Sequence, residues 1–167
     1  MIEIKKLAAT DGEVIYNMLQ EMPREENGFV NNANGLTFDD YKTWLEKAAK
    51  NSEQVGLVDG WKVPETVFWL YDNGEPVGMG KIRHLLTDAL KVAGGNIGYA
   101  VRPTKRGRGY GKMLAKMLVD EARKMGVSEI LITVHEDNIP SLKAALATGG
   151  EFTKSENGRH YIWVQRN

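Results

Sequence analysis

Cysteine is absent from all 167 residues. That excludes a disulfide framework, a thiol nucleophile and any cysteine-based metal site. A surplus of one charge sign is missing as well: 22 Lys and Arg face 22 Asp and Glu. Nucleic-acid and membrane-surface roles are therefore not favoured. No apolar run approaches the ~20 residues that a membrane-spanning helix needs. The opening Met1–Lys6 has no signal-peptide core, which points to a cytoplasmic chain. There is no internal repeat and no low-complexity tract, so residues 1–167 are expected to form a single domain with one real core.

The patterning present is that of a mixed α/β protein. Met1–Leu7 alternates apolar and polar residues and predicts a first strand. Asp11 is placed to cap a helix with Val14, Ile15, Met18 and Leu19 on one face. Residues 22–36 are polar and predict a long loop. Thr37 and Asp40 open a second helix to about Lys50, with Phe38, Tyr41, Trp44, Leu45 and Ala48 as its apolar stripe. Thr66–Tyr71 and Val77–Leu85 flank Asp72-Asn73-Gly74-Glu75, a hairpin signal. After a short helix or turn at 86–93 come a strand at Gly95–Val101 and a helix from Tyr110 that stops at Gly126. Ile130–Val134 predicts a strand buried on both faces. Pro140 suits the first turn of a helix to about Ala147. Two short strands, Glu151–Lys154 and Arg159–Gln165, close the chain. The expected order is β-α-α-β-β-β-α-β-α-β-β.

The densest chemical signal is Arg102-Pro-Thr-Lys-Arg-Gly-Arg-Gly-Tyr-Gly-Lys112, in which five of eleven residues are basic although the whole chain is neutral. Glycines permit close backbone approach, and the following helix presents unpaired N–H groups with a partial positive charge. Such a segment suits a phosphorylated ligand. The Walker A pattern fails, because Arg106 stands where a glycine is required and Met113 follows Gly111-Lys112. The dinucleotide fingerprint fails on spacing, with glycines at 107, 109 and 111.

The pattern that fits is R-x-x-G-x-G at Arg106, Gly109 and Gly111, after the lead-in Val101-Arg102-Pro103. It resembles the pyrophosphate-binding signature of the GNAT superfamily of acyl-CoA-dependent N-acyltransferases, and the element order matches that family over essentially the whole chain. The resemblance implies a mostly antiparallel sheet of six to seven strands, one parallel splayed pair and about four flanking helices. It implies acetyl-CoA as co-substrate, no metal, a primary amine of a small molecule or amino acid as acceptor and a possible homodimer. Arg106, Gly107, Arg108, Gly109, Tyr110, Gly111 and Lys112 would bind the pyrophosphate. The backbone of Tyr99, Ala100 and Val101 would pair with the pantetheine arm, and Asn138 and Ser141 would contact the same cofactor. Asn138 is equally suited to cap a helix.

Many family members carry a Tyr seven residues beyond that Asn, as the acid for the leaving thiolate; this chain has Ala145. An amine acceptor, mostly protonated at neutral pH, must also lose a proton before attack. His84, His135 and Tyr99 are the candidates for that work. Glu25, Glu26, Trp61 and Arg83 are candidates for the acceptor side; the carboxylates could receive a cationic amine, and Arg83 could hold an acceptor carboxylate. Transfer to a protein or peptide, and an acyl-CoA-binding sensor without catalysis, are the alternatives.

Overall fold

The computed structural model describes residues 1–56 and 62–165. Strand β1 (Ile2–Lys6) leads into helix α1 (Glu13–Glu21), and helix α2 (Phe38–Ser52) follows a small hairpin of β2 (Glu25–Glu26) and β3 (Phe29–Val30). Strands β4 (Glu65–Asp72) and β5 (Glu75–Arg83), the short helix α3 (Asp88–Val92) and strand β6 (Ile97–Val101) come next. A 3-10 turn at Pro103–Lys105 precedes helix α4 (Tyr110–Lys124), then β7 (Ile130–His135), α5 (Ile139–Ala147), β8 (Glu151–Glu156) and β9 (Arg159–Val164).

The strands form an antiparallel sheet in the order β1-β4-β5-β6 and a second in the order β7-β9-β8. One apolar cluster packs α4 and α5 against the two sheets through Leu114, Leu118, Ile132 and Ile162. A second packs α1 and α2 on the other face of the first sheet through Met18, Tyr41, Leu45 and Trp69. Gly80 makes the close approach of α4 possible, because a Cβ there would stand 2.6 Å from the Leu118 side chain.

The two sheets meet at Asn96, which is buried. Its N–H donates to the Leu131 carbonyl (2.8 Å). Its Oδ1 accepts from Leu131 N–H (2.9 Å), and its Nδ2 donates to the Arg83 carbonyl (3.0 Å). One side chain thus ties the end of β5 and the start of β6 to the start of β7. Beyond it, β6 and β7 share no ladder. The helical crossover through α4 lets them run the same way, and a cavity is lined by residues of both strands.

Several expectations are corrected. Asp11 does not cap α1: Gly12 holds that position without a side-chain bond, and Asp11 accepts from Ala8 N–H and Trp69 Nε1. A buried indole N–H needs a partner, and that need claims the carboxylate. Val14 is solvent-exposed. Within 22–36 the polar run hides the β2–β3 hairpin, turned at Asn27 and Gly28, both at positive φ. Asn31 is buried there and donates to the Leu19 and Met22 carbonyls, satisfying the end of α1. Strand β5 ends at Arg83, one residue before His84, and β6 begins at Ile97 rather than at Gly95. Gly94 and Gly95 turn the chain at positive φ, with Gly95 so close that a Cβ would lie 2.4 Å from the Leu131 carbonyl oxygen. The capped starts of α2 at Thr37 and α5 at Asn138 are as expected.

Candidate active site

The glycine-rich segment forms the entrance to α4. Gly107 and Gly109 lie in the left-handed region, at φ 80° and 83°. Gly109 is the N-cap of α4 and, having no side chain, cannot satisfy the helix end. Among the described residues, no backbone N–H from Gly107 to Lys112 donates to a protein acceptor. A Cβ at Gly107 would meet nothing within 4 Å, and at Gly109 and Gly111 only one side-chain atom about that far away. The result is an open, uncapped run of donors at the positive end of a 15-residue helix.

Three of the basic side chains around it, Arg102, Lys105 and Arg106, are paired with carboxylates. Arg106 Nε donates to the Val101 carbonyl (3.2 Å), and its guanidinium pairs with both carboxylate oxygens of Glu26 (2.5 and 3.4 Å). Arg102 Nε pairs with Glu21 (3.1 Å), which also accepts from the Thr104 hydroxyl (2.9 Å). Burial works to raise the Glu21 carboxyl, but those Thr104 and Arg102 donors outweigh it and hold it below the usual range. Lys105 pairs with Glu75, and Tyr110 donates its hydroxyl to Asp72. Arg106 is thus the arginine of the R-x-x-G-x-G pattern and, at the same time, bound to the β2–β3 hairpin.

Past the loop lies the cleft between β6 and β7. Strand β6 is the last of its sheet: Tyr99, Ala100 and Val101 pair with Gly80, Met79 and Gly78 of β5 on one side only. Its other backbone edge faces the cleft, a cavity of ≈ 260 Å³ bounded by Tyr99, His135, Asn138, Ser141 and the hairpin residue Phe29. Phe29 packs over Gly98, where a Cβ would be 3.4 Å from the ring. The Tyr99 hydroxyl spans the cleft. It donates to the Ser141 carbonyl (2.9 Å) and accepts from the Ser141 hydroxyl (3.1 Å). Burial pushes the phenol up to about 12, with the Ser141 hydrogen bond opposing. It is therefore a protonated donor at neutral pH. Asn138 Oδ1 caps α5 by accepting from Ser141 N–H (3.3 Å), which leaves its amide NH2 available.

A second, larger cavity of ≈ 660 Å³ adjoins the cleft between α2, the β4–β5 pair and α3. Lys81, Arg83 and Leu90 line both spaces. Lys81 sits in the middle of β5, stacks over Phe29 (4.8 Å to the ring centre) and donates to the Val30 carbonyl. Burial lowers its ammonium from the ordinary lysine value; Glu65 opposes that and Arg83 adds to it.

The three histidines part company. The His84 ring sits on the Thr66 hydroxyl (Nε2 to Oγ1, 2.6 Å), which in turn meets Ser52 (2.7 Å), and His84 borders neither cavity. His160 bonds Ser155 (2.7 Å) on the outer β8–β9 pair. His135 borders the cleft, and its buried Nε2 has no hydrogen-bond partner among the described residues. That atom lies 3.0 Å from where a Cβ on Gly28 would be, so the hairpin covers it. Of the acceptor-side candidates, Arg83 lines both spaces and Glu26 lines the cleft while bound to Arg106. Glu25 accepts from Gly28 N–H within the hairpin turn (2.7 Å), and Trp61 lies outside the described residues. Lys81, Phe29 and Asn96 were not singled out from sequence. A lysine between Gly80 and Ile82 in an otherwise apolar strand was the available signal for the first. Among the described residues no group of three acidic or histidine side chains could hold a metal, and no helix is long and apolar enough to cross a membrane.

The family model for the acetyltransferase (GNAT) family matches residues 15–149. The chain belongs to that family. None of the curated proteins matches it. Among solved structures it resembles N-acetyltransferase PseH from Campylobacter jejuni in complex with acetyl coenzyme A, at TM-score 0.67 and 12% identity over 100% of both chains. It also resembles ribosomal-protein-S5-alanine acetyltransferase from Vibrio fischeri, at TM-score 0.70 and 13% identity over 99% of this chain and 93% of that one. A third similar structure is yncA, a putative acetyltransferase from Salmonella typhimurium with acetyl-CoA, at TM-score 0.59 and 16% identity over 99% and 94%. At such identities the likeness concerns the fold.

Proposed function

We propose that this chain is an acetyl-CoA-dependent N-acetyltransferase that acetylates a primary amine of a small molecule by direct attack in a ternary complex. One observation carries the reading. Among the described residues the donor row from Gly107 to Lys112 meets no protein acceptor, and it lies with Arg106 at the Val101 end of β6, the strand whose other edge is unpaired. The pyrophosphate of coenzyme A fits the donor row. The pantetheine arm, which carries amide groups, fits the β6 edge as an added strand.

Acetyl-CoA supplies the activated acetyl thioester. The residues of the chain do the rest. Backbone N–H groups of β6 on the cleft side orient and polarise the carbonyl. The ammonium first gives up one proton; the free amine nitrogen then bonds to the carbonyl carbon, the C–S bond breaks, the nitrogen gives up a second proton and the sulfur takes one. Of the three histidines, His135 is the one that borders the cleft with a free ring nitrogen, and it is the best placed proton acceptor. Gly28 covers that nitrogen, so the role requires the β2–β3 hairpin to shift when substrates enter. Tyr99, kept protonated by burial, is the donor for the thiolate and takes the place left by Ala145. Asn138 and Ser141 hold the far side of the pantetheine arm, and Ser141 keeps the phenol aimed.

A panel of primary amines supplied with acetyl-CoA, followed by free-thiol release, tests the reading. Turnover that depends on the amine is expected, at a kcat that falls by about 10²-fold in Tyr99→Phe with acetyl-CoA affinity unchanged. Tight acetyl-CoA binding without turnover on any amine would replace the enzyme by a sensor.

A further inference from the structure

The charge in the larger compartment differs from that of the chain. Overall the protein is neutral. Yet among the described residues around this ≈ 660 Å³ space stand Lys47, Lys81 and Arg83, three cations, against one carboxylate, Glu65. The clustering is not dictated by folding. Lys47 lies on the exposed part of α2 and Lys81 on the central strand β5, and cations gathered from separate elements repel one another.

Arg83 shows how the excess is aimed. Nη1 is held by the Gly94 and Gly95 carbonyls (3.0 and 3.3 Å), and Nε faces Glu65 at the long distance of 3.8 Å. Among the described residues Nη2 has no hydrogen-bond partner, which leaves two donors on a guanidinium that is anchored from behind. The side chain is mostly buried and borders both compartments. An arginine fixed this way is preorganised for an oxyacid.

We infer that the acceptor is an amine that carries an acid group, a carboxylate or a phosphate, with the acid seated against Arg83 and Lys47 in the larger compartment and the amine directed past Lys81 into the cleft. This rests on the acetyltransferase reading and sharpens it. Polyamines and lysine side chains in basic sequence are disfavoured, because each would bring positive charge to a positive wall. Neither Glu25 nor Glu26, the carboxylates expected from sequence to receive a cationic amine, lines the larger compartment: Glu25 accepts within its own turn and Glu26, paired with Arg106, lines the cleft.

The test uses matched acceptors with the full-length protein and acetyl-CoA: amino acids, their amides, the corresponding decarboxylated amines and aminoalkyl phosphates. Acid-bearing acceptors are expected to exceed their neutral counterparts by about tenfold or more in kcat/KM. Arg83→Gln and the surface substitution Lys47→Gln should erase that preference by raising KM, while acetyl-CoA affinity stays the same. Comparison of the carboxylates with the phosphates identifies which acid is taken. Equal rates for acid, amide and decarboxylated amine would overturn the inference and leave the acetyltransferase intact. The same holds for faster turnover of polyamines. Bound acetyl-CoA with no turnover of any acceptor would overturn both.

Discussion

Among the described residues Arg106 has one charged partner, and it would need another in catalysis. Its guanidinium is held by Glu26, whose carboxylate competes directly with a pyrophosphate for the same donors. Both groups are partly exposed, so the pair is of modest strength. Replacing Glu26 by Gln should therefore tighten acetyl-CoA binding, by up to about fivefold, and calorimetric titration reads it directly. A weaker or unchanged affinity would mean that Glu26 is not the competitor. Arg106→Glu should weaken binding without unfolding the chain, because the side chain is half exposed. His84 makes a different prediction. Burial, and then the charge of Lys6, pull its ring below the ordinary value of 6.5, with Glu65 opposing. Between the folded and unfolded values the folded chain binds fewer protons than the unfolded one. The stability this group contributes is thus complete above 6.5 and is lost as pH falls through the depressed folded value. His84→Gln, whose amide can still meet Thr66, should lose less of its melting temperature than the parent as pH drops from about 7.5 to about 5. Parallel melting curves would contradict it.

At the scale of elements, the site depends on two devices that separate and support the strands. Asn96 fastens the β6–β7 junction at three points and so fixes where the cleft begins. Its replacement by Ala leaves the buried Leu131 N–H and Arg83 carbonyl short of partners, at a cost of about 2–4 kcal/mol. Urea unfolding measures that loss, and acetyl-CoA affinity should fall with it as the cleft loosens. Gly80 lets α4 press on β5, so that the uncapped end of α4 arrives beside β6. Gly80→Ala puts a methyl group against Leu118, and should cost about 1–3 kcal/mol while the loop itself is untouched. These elements differ in how far the sequence disclosed them. Helix α4 and the β4–β5 hairpin are written in periodicity and in the Asn73-Gly74 turn, both local signals. The β2–β3 hairpin is not, because its strands have two residues each and are held by Asn31 binding the end of α1. The Asn96 junction is equally hidden, since its meaning lies in a contact with Leu131, far along the chain.

The whole molecule combines a donor row at the head of α4, a cleft beside the open edge of β6 and a cationic antechamber beneath α2, gathered around two sheets that are tied together at Asn96. The first was legible in sequence because it is contiguous: Arg106 to Lys112 carry both the flexibility and the charge. The cleft was reached only through the family resemblance, and of the antechamber only Arg83 was named, because both are assembled from distant segments. Lys47 and Lys81 look like solvated residues in their own neighbourhoods, and only the packing of α2 on the sheet of β4 and β5 brings them to Arg83 as a wall. The histidines illustrate the same limit. His84 drew attention by its place near a strand end, yet Thr66 holds its ring away from both cavities, whereas His135 faces the cleft under Gly28. The central claim is that the head of α4 binds the pyrophosphate of acetyl-CoA, and thermal denaturation with acetyl-CoA, ATP and NAD, repeated for Arg106→Glu, tests it most directly. At 100 times its dissociation constant a ligand stabilises by about 2.7 kcal/mol. The account predicts a rise of several degrees with acetyl-CoA, little with ATP or NAD, and a smaller rise in the variant at the same ligand concentration. An equal rise with all three ligands, or one that survives Arg106→Glu undiminished, would contradict it.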